Sequence, residues 1–430
     1  MKQKNLDTKQ IIISGFALFA IFFGAGNLIF PPFLGINSGK DWFLASLGFN
    51  LSDSILILLG ILALSFRSAN LNDFGSKISK NFGNILSLIC ITLVGPLLSI
   101  PRTGATTFEV VLSPFYPNIN KILFSFIFFA LVYILTINGS KVIDRVGKYL
   151  TPTLLVILAI LIVRGIMYPN IVLNSTAGNK FSAGFIEGYQ TMDSLGPIFL
   201  TGMILEDFRN KGISEKNDLI RATIYSGLIA VFGLVVVYTG LTYVGTKSIA
   251  FADPDLNRTS LLITISENLL GRNVQIILSL VVGFACLSTA IGLVSAFASI
   301  FANNFKKLSY KFFVRIGVII SFVLSILGVD KIMEISIPIL LFIYPIVISL
   351  YILNLIDRGN ISPLAYKISI GAVALVSFAD ALSALGFNNN FYVNGINKLP
   401  LGSSGFAFVF VFGISLIIVL LISKKQKIIE

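Results

Sequence analysis

Apolar runs long enough to cross a bilayer recur along the whole chain, and they leave few folds open. A membrane-spanning helix needs ~20 mostly apolar residues. Twelve such runs can be marked, at roughly 11–35, 42–66, 84–108, 121–138, 148–167, 186–206, 219–244, 273–303, 312–329, 332–355, 364–385 and 403–423. Backbone polar groups in lipid must be satisfied within the segment, and the alternation of a β-barrel is absent, so each run reads as a helix. Charged residues make up only 12% of the chain, about half the share usual in soluble domains. Mean hydropathy is +0.90. A soluble enzyme, a nucleic-acid binder and a disordered protein are thereby excluded. No long polar linker separates the runs, so residues 1–430 are expected to form one all-α transmembrane domain.

The basic residues predict orientation. With both termini placed in the cytoplasm, 22 of the 32 Lys and Arg residues fall on the cytoplasmic side. That asymmetry follows the positive-inside rule and requires an even number of spans. It also accounts for the net charge of +12, with Lys424, Lys425 and Lys427 at an anionic membrane face rather than on DNA. The first run follows Lys2, Lys4 and Lys9 as a signal peptide would, but it continues to Pro31 and Pro32 without a clear cleavage site and reads as a retained helix. The chain has no histidine, which removes His metal sites and Ser-His-Asp chemistry. Its two cysteines, Cys90 and Cys286, sit inside apolar runs, so few catalytic sets remain and no enzyme is expected.

Residues that violate the apolar rule carry the information. In run one, Gly24-Ala25-Gly26-Asn27 precedes Pro31-Pro32. Glycine weakens a helix and proline favours its first turn. A half-helix to about Phe23, an unwound stretch at 24–27 and a new half-helix from about Leu28 are expected; the alternative is a kinked helix whose glycines serve close packing. In run six, Glu187-Gly-Tyr-Gln-Thr-Met-Asp193-Ser194 precedes Gly196-Pro197. A carboxylate in a span costs at least ~2.5 kcal/mol and usually has a functional reason, although Glu187 could equally serve as a water-facing cap. Breaks five spans apart, on helices running in opposite directions, point to an inverted five-helix repeat with helices 1 and 6 discontinuous at the midplane. Half-helix N-termini suit a carboxylate, and the opposing carbonyls suit an ammonium group or a small cation.

Run eight carries Ser288 and Thr289 near its middle, with the Ala285 carbonyl one turn below. Oxygen donors of this kind suit a hard cation, unless the hydroxyls simply bond the carbonyl one turn back. Arg102 either pairs with Glu109 in an outer vestibule or snorkels to the interface. Asp53 and Asn50 face either the bundle core or the outer surface. Pro338 and Pro345 are expected to kink run ten. Asn174 and Asn257 begin N-x-S/T triplets in outer loops, and the mixed stretch 253–270 is expected to hold a short surface helix acting as an outer lid.

Four strings, Gly24–Pro32, Ile100–Thr103, Glu187–Asp193 and Ala285–Leu293, resemble the branched-chain amino acid:cation symporters, the LIVCS or BrnQ-like family. The resemblance implies a bacterial plasma-membrane carrier of the amino acid–polyamine–cation superfamily. It implies a LeuT-like 5+5 core (repeats at 11–167 and 186–355) plus two C-terminal helices at 364–423. Uptake of leucine, isoleucine and valine, driven by Na+ or H+, is implied as well. Carried onto this sequence, the substrate site takes Gly24, Ala25, Gly26 and Asn27, with Gln190, Thr191, Asp193 and Ser194 opposite. The second sodium site takes carbonyls of span one at Phe23, the Ala285 carbonyl and the hydroxyls of Ser288 and Thr289. An apolar pocket discriminates one methylene by only ~1–3 kcal/mol, so it should accept all three side chains. No obligate protein partner is implied. The rivals are a carrier of another amino acid or small solute in the same fold, and a channel, for which no repeated filter element is present.

Overall fold

A computed structural model describes all residues except 1–7, 68–70, 138–141, 170–176, 214, 358, 360, 389 and 430. Lys2, Lys4 and Asn174 therefore lie outside the described residues. Helices cover the apolar runs. The segments that position the site are α1 (Thr8–Phe22), α2 (Phe30–Ile36), α3 (Trp42–Phe66), α4 (Phe82–Leu112), α5 (Lys121–Ile137), α6 (Val142–Met167), α7 (Lys180–Tyr189) and α8 (Pro197–Asn210). There follow α9 (Lys216–Lys247), α10 (Arg258–Leu270), α11 (Arg272–Asn304), α12 (Tyr310–Ser325), α13 (Val329–Ile356), α14 (Pro363–Ala384) and α15 (Ala407–Ile429). Among the described residues, six helices are long and apolar enough to cross a membrane: α3, α4, α9, α11, α13 and α14. α1, α5, the Pro152–Met167 part of α6 and the Ala407–Val419 part of α15 are shorter apolar helices.

Lipid tails are as apolar as leucine, so membrane helices associate by close packing of small residues rather than by the hydrophobic effect. Two contacts show this. α2 lies against α9, where a β-carbon on Gly35 would come within 1.9 Å of the Thr242 carbonyl oxygen, and one on Gly245 within 2.0 Å of the Pro32 carbonyl oxygen. α7 lies against α3, where a β-carbon on Gly184 would meet the Ala45 carbonyl oxygen at 1.9 Å, and one on Gly48 the Phe181 carbonyl oxygen at 2.1 Å. Only hydrogen at these positions lets the backbones approach so closely.

Helix irregularities cluster at mid-bundle. α3 carries a π turn at Leu51–Ile55, and α4 carries another at Leu93–Leu97. Within the latter, Gly95 adopts a non-helical ψ of −116° ahead of Pro96. The sequence reading did not anticipate this break in the third run. α13 runs as one helix from Val329 to Ile356, with Pro338 and Pro345 inside it. The stretch expected to hold a surface helix forms α10, capped by the Asn257 side chain accepting from the Ser260 N–H.

Candidate functional site

Two interruptions meet in the bundle core. α1 stops at Phe22; the chain makes a 3-10 turn over Ala25–Leu28 and re-enters a helix at Phe30, with Pro31 and Pro32 in its first turn. Opposite, α7 ends at Tyr189, and α8 starts at Pro197 after a 3-10 turn over Asp193–Leu195. Between them Met192, wholly buried, sits in the left-handed region at φ 66°. A bulky residue there is strained, and strain of this kind gathers at functional sites.

Asn27 joins the two turns. Its Nδ2 donates to the Phe22 carbonyl at 3.0 Å, to the Tyr238 hydroxyl at 2.9 Å and to the Asp193 carboxylate. The amide thus satisfies an end carbonyl of α1 and ties the break to α9 and to the second turn. Thr191 Oγ1 lies 2.6 Å from Asp53 Oδ1 and 2.7 Å from the Gly188 carbonyl. Asp53 is fully buried in the π turn of α3 and also accepts from Ser54 at 2.9 Å. Of the two placements left open for Asp53, the structure adopts the core one. Ser194 Oγ lies 2.8 Å from both the Ser52 and Asp53 carbonyls, and Gln190 Oε1 accepts from Ser336 at 2.6 Å. Asn27, Thr191 and Asp193, each also bonded within the protein, line a cavity, whereas Gln190 and Ser194 are not among its lining residues.

That cavity has a volume of about 800 Å³. It reaches from the two turns toward the face where α1 begins, past Phe16 on α1, Pro152 on α6, Met203 on α8 and Ala296 on α11. Gly24, Ser288 and Thr289 also line it, and a β-carbon on Gly24 would lie 3.9 Å from Thr289 Oγ1. Among the described residues, neither the Ser288 nor the Thr289 hydroxyl has a hydrogen-bond partner. Thr136, Thr223 and Thr242 bond the carbonyl four residues back, at 2.7, 2.8 and 2.8 Å. Ser288 and Thr289 do not, so their oxygens are left to the cavity beside the first turn. Hydroxyl oxygens so placed suit a hard cation; Phe23 and Ala285, expected to add carbonyls, are not among the residues lining the cavity.

Arg102 and Glu109, read as a possible pair, are separated. Arg102 Nη1 donates to the Gln190 carbonyl at 2.5 Å, and its guanidinium lies 5.1 Å from the Phe30 ring centre. Glu109 accepts from Thr259 at 2.8 Å and from the Val329 N–H at 3.1 Å. Glu187 is held by Arg258 of α10.

The family model described as "Branched-chain amino acid transport protein" matches residues 7–426. The chain belongs to that family. It is 35% identical over 415 residues to the branched-chain amino acid permease BraB of Bacillus subtilis, covering 94% of this chain and 93% of that one. Solved structures with the same fold include Mhp1, a nucleobase-cation-symport-1 family transporter, in a closed conformation with bromovinylhydantoin bound. It superposes with a TM-score of 0.60 at 14% identity, over 96% of this chain and 93% of that one. MhsT in complex with L-phenylalanine gives a TM-score of 0.56 at 17% identity, over 98% and 99%. This member of the branched-chain amino acid transport family is thus an all-helical, membrane-embedded, multi-pass transport protein and not an enzyme. Sequence reasoning did not assign Asp53, Met192, Arg102 or Tyr238 to its site. A carboxylate and a guanidinium inside apolar runs were the available signals for two of them.

Proposed function

We propose that the chain is a secondary active symporter that imports leucine, isoleucine and valine across the bacterial plasma membrane, coupled to Na+ or H+, by alternating access. The polar head of the substrate lies between the Gly24-Ala25-Gly26-Asn27 turn and the Gln190–Ser194 turn. Its side chain enters the apolar part of the cavity. Na+, as co-substrate, takes the hydroxyls of Ser288 and Thr289 with the carbonyls of Phe23 and Ala285.

One observation carries the reading: a single cavity is lined by polar groups of both helix interruptions and by two hydroxyls that have no hydrogen-bond partner among the described residues. The packing supports an inverted repeat. α7 on α3 and α1 on α9 are contacts that a five-helix repeat would exchange, as are α8 on α3 and α2 on α9. Twelve spans, in repeats at 11–167 and 186–355 with two added helices at 364–423, and cytoplasmic termini complete the proposal. The cavity then faces the cytoplasm, and α10 covers the outer side. A cation that binds one state better than the other biases which way the site opens, and this differential affinity couples the two fluxes.

Uptake by reconstituted vesicles with sodium and proton gradients imposed separately tests it. Accumulation of leucine, isoleucine and valine, each competing with the others, is expected under one gradient. If excess of all three leaves the transported solute's uptake untouched, the chain carries something else.

A further inference from the structure

Arg102 is a buried cation with most of its hydrogen-bonding capacity unused. It is 3% exposed and lies in the stretch of α4 that resumes after the irregular Gly95-Pro96 step. A guanidinium offers five N–H donors in a rigid fork. Its hydrogen bond here goes to one neutral acceptor, the Gln190 carbonyl, and its face lies over Phe30. Among the described residues it forms no salt bridge. Asp193 acts on it electrostatically from across the same cavity without contacting it, and Asp193 is itself held by Asn27. A buried charge without a counter-ion is costly. A ligand that brings an anionic group to Arg102 removes that cost.

The first helix interruption supplies less positive character than its glycines suggest. The Gly24 and Asn27 N–H groups are already bonded to the Phe22 and Gly24 carbonyls, each at 3.0 Å. The helix beyond has only seven residues and two prolines in its first turn, which lack N–H groups. The fixed cation of this cavity is therefore Arg102.

Given the transport reading above, we infer that Arg102 binds the α-carboxylate of the substrate and Asp193, with the Thr191 side of its turn, binds the α-ammonium group. The two residues are the poles of a site for a zwitterion, and a solute carrying only one of the two charges leaves one pole unmatched. Charge-assisted bidentate contacts between guanidinium and carboxylate are among the strongest polar contacts available to a protein. The separation of Arg102 from Asp193 is then what keeps both available.

Binding to the purified full-length protein, followed by calorimetry with leucine, leucinamide and 4-methylpentanoate, tests the inference. Leucinamide lacks the carboxylate, and 4-methylpentanoate lacks the ammonium group. Wild-type protein should prefer leucine over either by about 100-fold or more. Arg102→Gln should lose about 100-fold in leucine affinity and change leucinamide affinity less than about threefold. Arg102→Lys, which keeps the charge but not the fork, should fall between. Asp193→Asn should erase the preference for leucine over 4-methylpentanoate. Thermal unfolding of each variant reports whether it folds, and Arg102→Lys keeps the test open should Arg102→Gln not. Equal loss of leucine and leucinamide affinity, or unchanged leucine affinity, overturns the role of Arg102 alone. Wild-type protein that binds none of the three branched-chain amino acids overturns the transport reading beneath it.

Discussion

Arg258 grips Glu187 with two nitrogens, Nε at 2.8 Å from one carboxylate oxygen and Nη2 at 3.1 Å from the other, while its guanidinium lies 3.9 Å from the Phe33 ring centre. One residue of α10 thereby ties together α7 and α2, the two half-helices on the side away from the cavity mouth. Both partners of the pair are partly buried, at 18% and 15% side-chain exposure, so solvent screens it only in part.

Loss of this grip should favour opening on that side. Removing ~1.4 kcal/mol from one of two states shifts their ratio about tenfold. Ser99 of α4 lines the cavity, so a cysteine placed there, in a background lacking Cys90 and Cys286, reports access to the site. Its reaction with an impermeant thiol reagent, added to the outer face of vesicles, should be about tenfold faster with Arg258→Gln or Glu187→Gln. An unchanged rate means the pair does not hold that face shut.

Thr289→Ala should raise the cation concentration for half-maximal leucine uptake by roughly tenfold, a loss of ~1.4 kcal/mol. The unfolding temperature should barely move, because the hydroxyl has no hydrogen-bond partner among the described residues to lose. Ser288→Ala should act in the same direction. Thr136→Ala removes a back-bonded hydroxyl in α5 and should leave the cation dependence as it was. Equal responses from Thr289 and Thr136 would remove the cation from span eight.

Glycine at the half-helix contacts makes a separate prediction. A β-carbon at Gly35 or Gly184 collides with a backbone oxygen, which cannot rotate away as a side chain could. Overpacking of this kind costs ~1–3 kcal/mol. Gly35→Ala and Gly184→Ala should lower the unfolding temperature in detergent, whereas Gly371→Ala in α14, with nothing within 4 Å of the added carbon, should not. Should all three unfold alike, the close approach of α2 to α9 and of α7 to α3 is not what these glycines serve.

The helix ends at the two turns were legible because glycine and proline act locally. Gly24, Gly26, Pro31, Pro32 and Gly196-Pro197 limit the backbone wherever the rest of the chain lies. Ser288 and Thr289 stood out by their place at the middle of a run, but back-bonding was open to them and their assignment to a cation came from the family resemblance. Arg102 and Asp53 were different. Whether an intramembrane charge faces lipid, water or a cavity depends on the rotation of its helix. That rotation was altered by features with weak sequence signals, the π turn at Leu51–Ile55 and the non-helical step at Gly95. Arg102 and Glu109 are seven residues apart, two turns of a regular helix, which is why pairing them was reasonable. Each instead found its partners on other helices, Gln190 for Arg102 and Thr259 and Val329 for Glu109.

Asp357 makes the pH prediction. It follows the last residue of α13, and its side chain is fully buried under the loops on the proposed cytoplasmic face. Lys77 lies 2.5 Å from Oδ2, Arg67 3.2 Å and the Tyr366 hydroxyl 3.1 Å; the Gly359 and Ile361 N–H groups donate to Oδ1 at 2.8 and 3.2 Å. Burial alone would raise its pKa, but Lys77 and the two backbone N–H groups more than offset that, and the carboxyl is pulled from its ordinary 3.8 down to about 2. A carboxylate whose pKa is depressed on folding contributes stability that is fully present above its unfolded value and disappears as pH falls through the folded one. Between pH 5 and 8 this contribution should therefore be flat. Asp357→Asn should lower stability there by ~2 kcal/mol, typical of losing hydrogen bonds to a charged group. Below about pH 4 the wild type begins to lose the same contribution, so the two unfolding temperatures should converge toward pH 2. A gap that stays constant down to pH 2, or one that opens only below pH 5, would show that the charge of Asp357 is not what joins α13, α14 and the loop after α3.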